Sequence, residues 1–507
     1  MLATVYSSAV FGIEGFRVVV EADLRKTVEP RFEMVGLPEA SVKEARVRVS
    51  AALRNSDLPL PPAAVTVNFA PADRPKRGTL FDLPIALGLL ASMGHVASDS
   101  LDDIVVLGEL ALDGSVRSVP GVLPIAIHAK NSGARALLVP RANAVEASSV
   151  PGLKVVAVEH LREAIAWLSG AEALPLPEFQ RSEEEGIPDF SEVRGQAVAL
   201  RAAEIAAAGA HNLLMVGPPG CGKTMIARRI PGILPPMTER EQMEVSQIWS
   251  VNRLLADGEG LLSRRPFRAP HHTLSVPAMV GGGQIPMPGE VSVAHHGVLF
   301  LDELPEFRRQ VLEALRQPLE DGELCIVRGM QRATFPSRVM LVASMNPCPC
   351  GWLGSELRSC RCTSYQVASY SARVSGPLLD RIDLQVSLNA ISMRELRDKT
   401  NRESSRGISE RVIKAREAQC RRHRENGSEL VWNSALDAAG VRAFIRPTRE
   451  GLRLLELAGD RLGLSARSLT RALKVSRTIA DLAGEDRVTE SHIAEAVQYR
   501  RLDSKDI

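Results

Sequence analysis

The sequence predicts an α/β protein of two or three domains, one of which is built on a buried parallel sheet. At 507 residues the chain is longer than a single hydrophobic core usually supports. The apolar run Leu213–Val216 leads through a glycine-rich loop into an Ala/Ile/Arg-rich segment, which indicates strand, tight turn and helix. A second apolar run, Val298–Leu301, ends in the carboxylates Asp302 and Glu303. Such short apolar runs are typical of parallel strands that are covered on both faces.

The composition narrows the classes of protein to consider. The formal net charge is only +2, so any nucleic-acid surface must be local. Aromatic residues make up 4% of the chain, so base stacking is not expected to dominate binding. No long apolar run is present, and the first residues lack the basic region of a signal peptide, so we expect a cytoplasmic protein without a membrane span. In that compartment, seven cysteines indicate thiols or a metal site rather than disulfides.

Residues 1–170 form the first predicted domain, which mixes strands and helices in an α+β arrangement. Phe16–Val20 and Val65–Phe69 are typical of strands, and Glu39–Leu53 has a helical pattern. This domain carries no catalytic motif of its own. Residues 171–188 combine prolines with an acidic run and are therefore interpreted as a linker.

Two stretches of the first domain, Pro75–Leu90 and Leu107–Asn143, resemble the proteolytic domain of Lon proteases. That family uses a Ser–Lys dyad. In the resemblance, Leu80 stands where the nucleophilic serine belongs and Leu123 stands where the lysine belongs. Neither leucine can attack a carbonyl or take up a proton. The resemblance therefore implies a non-catalytic domain with a docking or assembly role.

The next module, residues 189–390, contains a phosphate-binding loop of the form Gly-x-x-x-x-Gly-Lys-Thr. Its glycines let the backbone turn N–H groups toward phosphates. Lys223 can reach the β- and γ-phosphates, and the Thr224 hydroxyl can bind Mg²⁺. The loop therefore predicts a nucleotide bound with Mg²⁺, and the family resemblance described below implies that the nucleotide is ATP. The predicted ATP-binding residues are Gly217, Pro218, Pro219, Gly220, Cys221, Gly222, Lys223 and Thr224.

Polar residues follow the buried segments of the same module. Asp302 is predicted to hold Mg²⁺, directly or through water, and Glu303 to polarise the attacking water. Asn346, just past the apolar strand Val339–Ser344, is placed to orient that water. Arg381 follows an apolar helix end, and in a ring of subunits it would reach the γ-phosphate of a neighbour. A local salt bridge is the alternative role for this arginine.

Two segments of the module are unlike ordinary connections between strands and helices. Residues 263–297 are rich in arginine, glycine and histidine and are interpreted as a mobile insertion that faces a substrate. Residues 323–335 predict a hairpin whose tip carries Arg328 and Arg332. These arginines could contact the phosphate backbone of DNA. A solvated turn is the alternative.

Four cysteines lie close together in the pattern Cys348-Pro-Cys350 and Cys360-Arg-Cys362. Four thiols have the right number for a tetrahedral zinc site. The Cys-x-Cys spacing differs from the more usual Cys-x₂-Cys. Reduced, unligated thiols and redox pairing are therefore kept as alternatives to zinc.

Residues 391–507 are predicted to form a helical lid. Arg467 lies at the start of a lid helix, where it can meet the γ-phosphate when the lid closes, and Arg471, one turn later, is the alternative. The helices predicted in the lid and in the module before it include Leu234–Val251, Glu306–Asp321, Met393–Thr400, Ser409–Arg424, Ser434–Ala439, Arg449–Ala458, Ser468–Leu482 and Glu490–Tyr499.

In chain order, the phosphate loop and the stretches GVLFLDE, MNPCPCG, LLDRIDL and SARSLTR resemble the motifs of magnesium-chelatase-like AAA+ ATPases. With the Lon-like domain, nearly the whole chain resembles the YifB / competence protein ComM family. The resemblance implies hexameric rings with ATP at subunit interfaces, and two hairpin insertions that line the pore. It also implies the following roles: Walker A for Lys223 and Thr224, Walker B for Asp302 and Glu303, sensor 1 for Asn346, arginine finger for Arg381 and sensor 2 for Arg467.

The resemblance implies a function as well. Proteins of this family are thought to be DNA helicases that drive branch migration and help donor DNA integrate during natural transformation. We therefore expect a homo-hexameric motor that acts on single-stranded or branched DNA, with recombination proteins as further candidate partners. The alternative is a chelatase-type motor that remodels a protein partner. A nucleotide-gated scaffold with little motor activity is disfavoured because Glu303, Asn346 and Arg381 are all present.

Overall fold

The computed structural model describes residues 2–177, 186–283, 286–328, 331–390, 403–427 and 432–500. The chain divides into two compact units. The first unit comprises Met1–Glu184, Glu239–Leu262 and Ile285–Met287, and the second comprises Glu185–Thr238, Ser263–Gln284 and Pro288–Ile507. Among the described residues, no helix combines the length and the apolar character that crossing a membrane requires.

Strands and helices are mixed along residues 2–177. The strands are β1 Leu2–Phe11, β2 Glu14–Lys26, β3 Arg31–Val35, β4 Ala63–Ala70, β5 Ile104–Val106, β6 Glu109–Leu110, β7 Val116–Arg117, β8 Ala136–Pro140 and β9 Val155–Val158. The helices are α1 Ala40–Lys43, α2 Ala45–Asn55, α3 Asp82–Ser92, α4 Val122–Asn131, α5 Ala144–Ser148 and α6 Leu161–Leu168.

Short strands and helices follow between residues 186 and 390. The strands are β10 Leu213–Val216, β11 Phe267–Arg268, β12 Gly281–Gly282, β13 Met287–Pro288, β14 Val298–Leu301, β15 Glu323–Arg328, β16 Gln331–Pro336, β17 Met340–Met345 and β18 Leu384–Ser387. The helices are α7 Ala197–Gly209, α8 Lys223–Ala227, α9 Glu239–Val251, α10 Val276–Val280, α11 Glu290–Val293, α12 Arg309–Ala314, α13 Pro318–Asp321, α14 Ser364–Ser371 and α15 Gly376–Leu379. The described part of the remaining chain is helical, with α16 Ser405–Glu425, α17 Ala438–Phe444, α18 Arg449–Leu462, α19 Ala466–Ala483 and α20 Glu490–Gln498.

The first unit is built on a mixed seven-stranded sheet in the order β3-β4-β2-β1-β5-β8-β9. β2 pairs antiparallel with β1 and β4, whereas β5, β8 and β9 continue the sheet as parallel strands. Helix α3 is buried along its whole length because nearly all its side chains are apolar. Its one acidic residue, Asp82, accepts a 2.6 Å hydrogen bond from Arg48 Nε, so the buried carboxylate has a counter-charge.

Helix α9 packs in the first unit, although in sequence it follows the phosphate loop. The carbonyl of Ser250, near the end of α9, accepts a hydrogen bond from the N–H of Gly121 at 3.1 Å, just before α4. The N–H of Leu123 donates to Ser250 Oγ at 3.4 Å and to Glu146 Oε1 at 2.9 Å. Leu123 is fully buried and Leu80 is 6% exposed. Packed leucines therefore occupy the two positions at which the resemblance to Lon proteases would require a serine and a lysine.

The main sheet of the second unit has five parallel strands in the order β11-β14-β17-β10-β18. The strands are short and almost entirely buried, and they share a hydrophobic core with α7, α16 and α19. The strand order changes direction beside β10, which pairs with β17 on one side and β18 on the other. In open parallel sheets, ligands bind beyond the carboxyl ends of the strands at such a point.

The helical region of the second unit is attached near the amino end of β18. The N–H of Gln385 donates to the carbonyl of Tyr499 at 2.9 Å. Arg500 is fully buried, donates from Nη2 to Ser468 Oγ at 3.1 Å and also contacts the Ile382 carbonyl. These contacts fix α19 and the end of α20 to the sheet edge opposite the phosphate loop.

Two predicted helices have different bounds in the structure. Helix α9 begins at Glu239 rather than Leu234, because two consecutive prolines follow Leu234 and cannot donate backbone hydrogen bonds. The single helix predicted at Glu306–Asp321 is divided into α12 and α13, and Pro318 begins the second of them. Proline is favoured at the first position of a helix but not in its interior.

Other elements depart from the sequence pattern at the two ends of the chain. The sequence does not predict β1, since two serines interrupt its apolar residues. Both serines are fully buried, and Ser7 Oγ donates to the carbonyl of Val106 at 2.8 Å. The helix predicted at Ser434–Ala439 is displaced, because Asp437 caps a helix that begins at Ala438. The helix predicted at Met393–Thr400 lies outside the described residues.

Candidate nucleotide site

The phosphate-binding loop connects β10 to α8 at the carboxyl edge of the five-stranded sheet. Gly222, which precedes α8, has a φ of 95°, a conformation that glycine adopts without steric cost. A Cβ atom at Gly217 would lie 2.6 Å from the carbonyl oxygen of Leu388, so this position also requires glycine. The structure brings all the predicted loop residues into one strand–loop–helix turn: Gly217, Pro218, Pro219, Gly220, Cys221, Gly222, Lys223 and Thr224.

The Lys223 ammonium group lies inside this loop. Its Nζ donates to the carbonyl oxygens of Gly217 at 2.6 Å and Pro218 at 3.0 Å, and to Asn346 Oδ1 at 3.2 Å. Burial lowers the pKa of Lys223, while the Asp302 carboxylate acts in the opposite direction. The lysine is therefore positioned by neutral oxygen atoms that phosphate oxygens can replace.

Thr224 and Asp302 form the candidate magnesium site. Thr224 Oγ1 donates to Asp302 Oδ2 at 2.9 Å. Hydroxyl and carboxylate oxygens are the ligand types that Mg²⁺ prefers, so these residues fit the ion. Ser344 also donates to Asp302, which the sequence analysis missed. The pairing of Leu301 with Ala343 in neighbouring strands places Ser344 beside Asp302 and could have revealed it.

Glu303 and Asn346 lie at the same edge because they follow the neighbouring parallel strands β14 and β17. Glu303 is exposed and has a φ of 53°, which is uncommon for a residue with a side chain. The chain therefore turns sharply between the metal-binding carboxylate and the next one. Such conformations cluster at functional sites. The structure thus brings together Lys223, Thr224, Asp302, Glu303 and Asn346 as the sequence predicts.

Arg381 lies at the opposite, amino edge of the sheet. Its carbonyl accepts a 2.8 Å hydrogen bond from Asn212 Nδ2, and Asn212 immediately precedes β10. The Arg381 side chain is 7% exposed and forms an ion pair with Glu320. Its Nε and Nη1 donate to the carbonyl oxygens of Arg316 at 3.0 Å and Pro377 at 2.7 Å.

The two lid arginines lie at this amino edge as well. Arg467 Nη2 donates to Glu320 Oε1 at 2.5 Å, so Arg467 and Arg381 share one carboxylate. Arg471 is paired with buried Asp383 and donates to the Arg381 carbonyl at 3.1 Å. The structure therefore does not place either lid arginine near the phosphate loop of the same chain.

The length of β10 separates the two edges. It contains four residues, and at roughly 3.3 Å per residue its first and last Cα atoms are about 10 Å apart. Arg381 and Arg467 lie beyond one end, and the phosphate loop begins beyond the other. This distance exceeds the reach of an arginine side chain. Neither guanidinium group is therefore within reach of the phosphate loop of its own chain.

Four cysteines converge in the loop that follows Asn346. Sγ of Cys348 lies 3.4 Å from that of Cys350 and 3.6 Å from that of Cys360, and Cys362 completes a group whose ligand atoms all lie within 4.8 Å. Tetrahedral zinc with four thiolates has sulfur–sulfur distances of about 3.8 Å. Backbone N–H groups of the loop lower the pKa of Cys350 to about 6, which favours its thiolate form, whereas desolvation and the neighbouring thiols outweigh a backbone hydrogen bond and raise the pKa of Cys362 to about 12. The donor set therefore fits zinc.

This cysteine loop also contacts the phosphate loop. Gly351 has a φ of 83°, and a Cβ atom there would lie 2.7 Å from Pro219 Cδ and 3.8 Å from Asn346 Cγ. The close approach requires glycine. A metal ion or other contact that orders the cysteine loop would therefore also help to hold Pro219 and Asn346 in position.

The predicted hairpin is formed by antiparallel β15 and β16. Its base is anchored by buried Leu324 and Phe335, whereas Arg328 and Arg332 are exposed toward the other end. Residues 329–330, between the strands, lie outside the described part of the chain. In the insertion at 263–297, Arg268 makes a two-point ion pair with Glu290 at 2.7 and 2.8 Å. That arginine therefore stabilises the insertion itself.

Family comparisons cover both units. The family described as "Magnesium chelatase, subunit ChlI" matches residues 189–396, and its C-terminal counterpart, "Magnesium chelatase, subunit ChlI C-terminal", matches residues 402–500. A third family, "Subunit ChlI of Mg-chelatase", matches residues 20–143. The matches therefore include the nucleotide site and the lid arginines.

Individual relatives align over almost the whole length. Competence protein ComM of Haemophilus influenzae is 43% identical, over 99% of this chain and 98% of its own. Uncharacterized protein YifB of Escherichia coli is 42% identical, over 99% of this chain and 97% of its own. Uncharacterized protein Rv2897c of Mycobacterium tuberculosis is 40% identical, over 99% of both chains. This chain therefore belongs to the ComM/YifB family of magnesium-chelatase-like AAA+ proteins.

Proposed function

We propose that this protein is an ATP-hydrolysing ring motor that acts on DNA, in the form of a hexameric branch-migration helicase. Its role would be to promote integration of DNA during natural transformation or recombination. The observation that carries the proposal is the division of the ATPase residues between two sheet edges. The loop, the acids and Asn346 lie at one edge, and Arg381 and Arg467 lie at the other.

At the carboxyl edge, each residue has a distinct task in hydrolysis. Lys223 neutralises the terminal phosphates, and Asn346 and Glu303 orient and polarise the attacking water. Thr224 and Asp302 would hold Mg²⁺, which supplies positive charge to the phosphate oxygens when bound. Direct hydrogen bonds connect Lys223 to Asn346 and Thr224 to Asp302, so the residues that would meet the phosphates and Mg²⁺ hold one another in place.

A second copy would complete the site. An arginine contact to the γ-phosphate stabilises the charge of the transition state and typically accelerates hydrolysis by roughly 10³- to 10⁵-fold. Arg381 and Arg467 cannot supply this contact within their own chain. Head-to-tail interfaces can close into rings, and in a ring that sets the amino edge of each subunit against the carboxyl edge of the next, each subunit would complete its neighbour's site.

The exposed hairpin and one relative support DNA as the substrate. Arg328 and Arg332 present positive charge on an antiparallel ribbon whose base is buried. Contacts from such arginines to phosphates carry no sequence information, which suits a motor that moves along DNA. The competence protein of Haemophilus influenzae gives the biological context.

Zinc would serve as a structural element of the ATPase. Cys348, Cys350, Cys360 and Cys362 would hold it with no open position for substrate. The cysteine loop contacts Pro219 and lies beside Asn346, so an ordered loop would keep both in place.

The test is steady-state ATPase activity of the purified protein alone, with single-stranded DNA and with branched DNA. Glu303→Gln, which should bind ATP without turnover, serves as the blank. We expect DNA to stimulate hydrolysis several-fold, and branched DNA to be remodelled. Activity that is indifferent to every DNA would contradict the DNA-motor proposal.

The hairpin is tested with the double variant Arg328→Ala/Arg332→Ala. It should keep its basal ATPase activity but bind DNA more weakly, and the salt dependence of binding should fall by about one unit for each lost phosphate contact. The matched control is Arg449→Ala/Arg453→Ala, which removes two exposed arginines from α18. Normal DNA unwinding by the hairpin variant would exclude this assignment.

A chelatase-like motor that remodels a protein partner is the second candidate. The family descriptions, all of which name a magnesium chelatase subunit, favour it. Such a motor would use the same ATPase residues, so the nucleotide site does not separate the two functions. ATPase activity that responds to a partner protein but not to DNA would favour this candidate.

A further inference from the structure

Glu320 joins the two arginines at the amino edge of the sheet. One carboxylate oxygen accepts from Arg381 Nη2, and the other accepts from Arg467 Nη2 at 2.5 Å. Glu320 is 61 positions from Arg381 and 147 from Arg467 in the chain, so the fold itself creates this arrangement. A single anion thus directs two guanidinium groups toward one point.

The contacts of Arg381 differ in how easily they can be exchanged. Nε and Nη1 are bonded to the backbone carbonyl oxygens of Arg316 and Pro377, which hold the guanidinium group in one orientation. Nη2 is bonded to a side chain instead. Glu320 is 43% exposed and Arg467 is 49% exposed, so the carboxylate can rotate away without disturbing the core. Only the Glu320 contact must be replaced for another anion to bind.

A cavity of about 370 Å³ opens at this place. Its lining residues are Glu313, Arg316, Gln317, Glu320, Asp321 and Arg381. Arg316 Nε is buried and has no hydrogen-bond partner among the described residues, although its Nη1 pairs with Glu313 at 2.9 Å. An unsatisfied cationic donor therefore lies beside Arg381. The cavity therefore gives an incoming anion a route to the Arg381 and Glu320 side chains.

We propose that Glu320 occupies the place of the γ-phosphate of a nucleotide bound to a neighbouring copy of the chain. Its carboxylate keeps Arg381 and Arg467 together, and the neighbour's phosphate displaces it when the copies assemble with ATP. Glu320 is therefore a positioning residue that acts through the two arginines. The inference rests on the ring of copies in the proposed function, but it does not depend on DNA.

The exchange has a clear electrostatic reason. One anion replaces another, so the paired guanidinium groups are not left without counter-charge. A γ-phosphate carries more charge and more acceptor oxygens than a carboxylate, so it can compete successfully. ADP lacks this group, and Glu320 then keeps its place. Copies of the chain would therefore assemble more tightly with ATP, which has a γ-phosphate, than with ADP.

The test measures the chain concentration at which half the protein is assembled, by sedimentation velocity with ATP and with ADP. All proteins carry Glu303→Gln so that ATP is not consumed. Adding Glu320→Gln removes the competing charge and should lower the half-assembly concentration in ATP by about threefold to tenfold, with little change in ADP. Asp321→Asn, which removes a charge from the same cavity, is the matched control and should have no such effect.

Two further variants separate positioning from a merely structural role. Adding Arg381→Ala and Arg467→Ala should remove the ATP dependence of assembly and abolish the effect of Glu320→Gln. With Glu303 intact, Glu320→Gln should lower KM for ATP while leaving kcat nearly unchanged. Glu320→Ala should also strengthen assembly in ATP and lower KM, and it replaces Glu320→Gln in the test if that variant folds poorly.

The outcomes distinguish this inference from the proposed function. If the protein without the Glu320 change assembles with ATP but Glu320→Gln assembles no more tightly, only the role of Glu320 is excluded. If the protein assembles with neither nucleotide, both the ring and this inference fail. The third outcome is that Glu320→Gln strengthens ATP-dependent assembly as expected while DNA does not change the ATPase activity. That result would support the role of Glu320 and exclude DNA as the substrate.

Discussion

The two edges of the five-stranded sheet are organised in opposite ways. At the carboxyl edge, Lys223 contacts Asn346 and Thr224 contacts Asp302, so the binding residues already hold one another in place. At the amino edge, Arg381 and Arg467 contact Glu320. One chain therefore organises its own nucleotide-binding residues, whereas Arg381 and Arg467 lie beyond reach of that site and would serve a second copy in the proposed ring.

The largest expected effect concerns the carboxyl edge. Lys223→Ala should abolish ATP binding, because no other cation lies inside the loop among the described residues. Glu303→Gln should bind ATP normally but fail to hydrolyse it, since the amide cannot polarise water. Equilibrium binding of a fluorescent ATP analogue and steady-state turnover, measured on the same samples, check both expectations. Turnover by Glu303→Gln would remove that residue from the mechanism.

The next largest effect tests whether Arg381 acts on the nucleotide bound to a different copy of the chain. Arg381→Ala should reduce kcat by roughly 10³-fold or more while ATP binding is largely kept. A mixture of Arg381→Ala and Lys223→Ala chains should recover activity that neither variant has alone, because some interfaces then combine an intact loop with an intact arginine. No recovery in mixtures that still assemble would mean that Arg381 acts within its own chain.

A smaller effect concerns the packing of the amino edge. Asp383 is fully buried and is paired with Arg471 and with His211 Nδ1 at 3.3 Å. Asp383→Asn should destabilise the second unit by about 3 kcal/mol, because it leaves Arg471 without its buried counter-charge. Thermal unfolding measures the change, and Asp380→Asn, three residues earlier, is the control. An unchanged melting temperature would show that the pair contributes little.

The same pair predicts a pH dependence. Burial raises the pKa of Asp383, but Arg471 and His211 outweigh it, so the folded-state pKa lies below the usual range. The stabilisation is therefore complete above an unfolded-state pKa of about 4 and is lost as the pH falls below it toward the folded-state pKa. The difference in unfolding free energy between the unchanged protein and Asp383→Asn should be constant between roughly pH 6 and pH 8. It should become smaller as the pH falls below about 4.

The smallest expected effect concerns the cysteine loop. Purified protein should contain an equimolar amount of zinc, and Cys348→Ser should lose most of it. We expect ATPase activity to fall about tenfold rather than vanish, because the loop supports Asn346 and Pro219 but donates nothing to the nucleotide. Metal analysis and turnover of the same preparations test this. Full ATPase activity in metal-free protein would show that zinc binding by the four cysteines does not support the nucleotide site.

The carboxyl edge could be predicted from sequence because its signals are local. A contiguous motif defines the loop, and the ends of neighbouring parallel strands must converge, so Asp302 and Asn346 follow from strand order. Ser344 was missed because a serine within a buried strand looks like an ordinary core residue. The amino edge could not be predicted, since it depends on where a distant helix packs. Nothing near Arg467 in the sequence indicates that Glu320, 147 residues away, becomes its partner.

Helix α9 has a consequence for how the two units can be separated. The chain leaves the second unit after Thr238, contributes residues 239–262 to the first, and then returns. A cut in the linker would remove α9 from the first unit and leave the N–H of Leu123 without Ser250. Neither unit is therefore a single continuous segment of the chain. An isolated first unit would therefore need residues 239–262 joined to residues 1–177 through an added connecting segment.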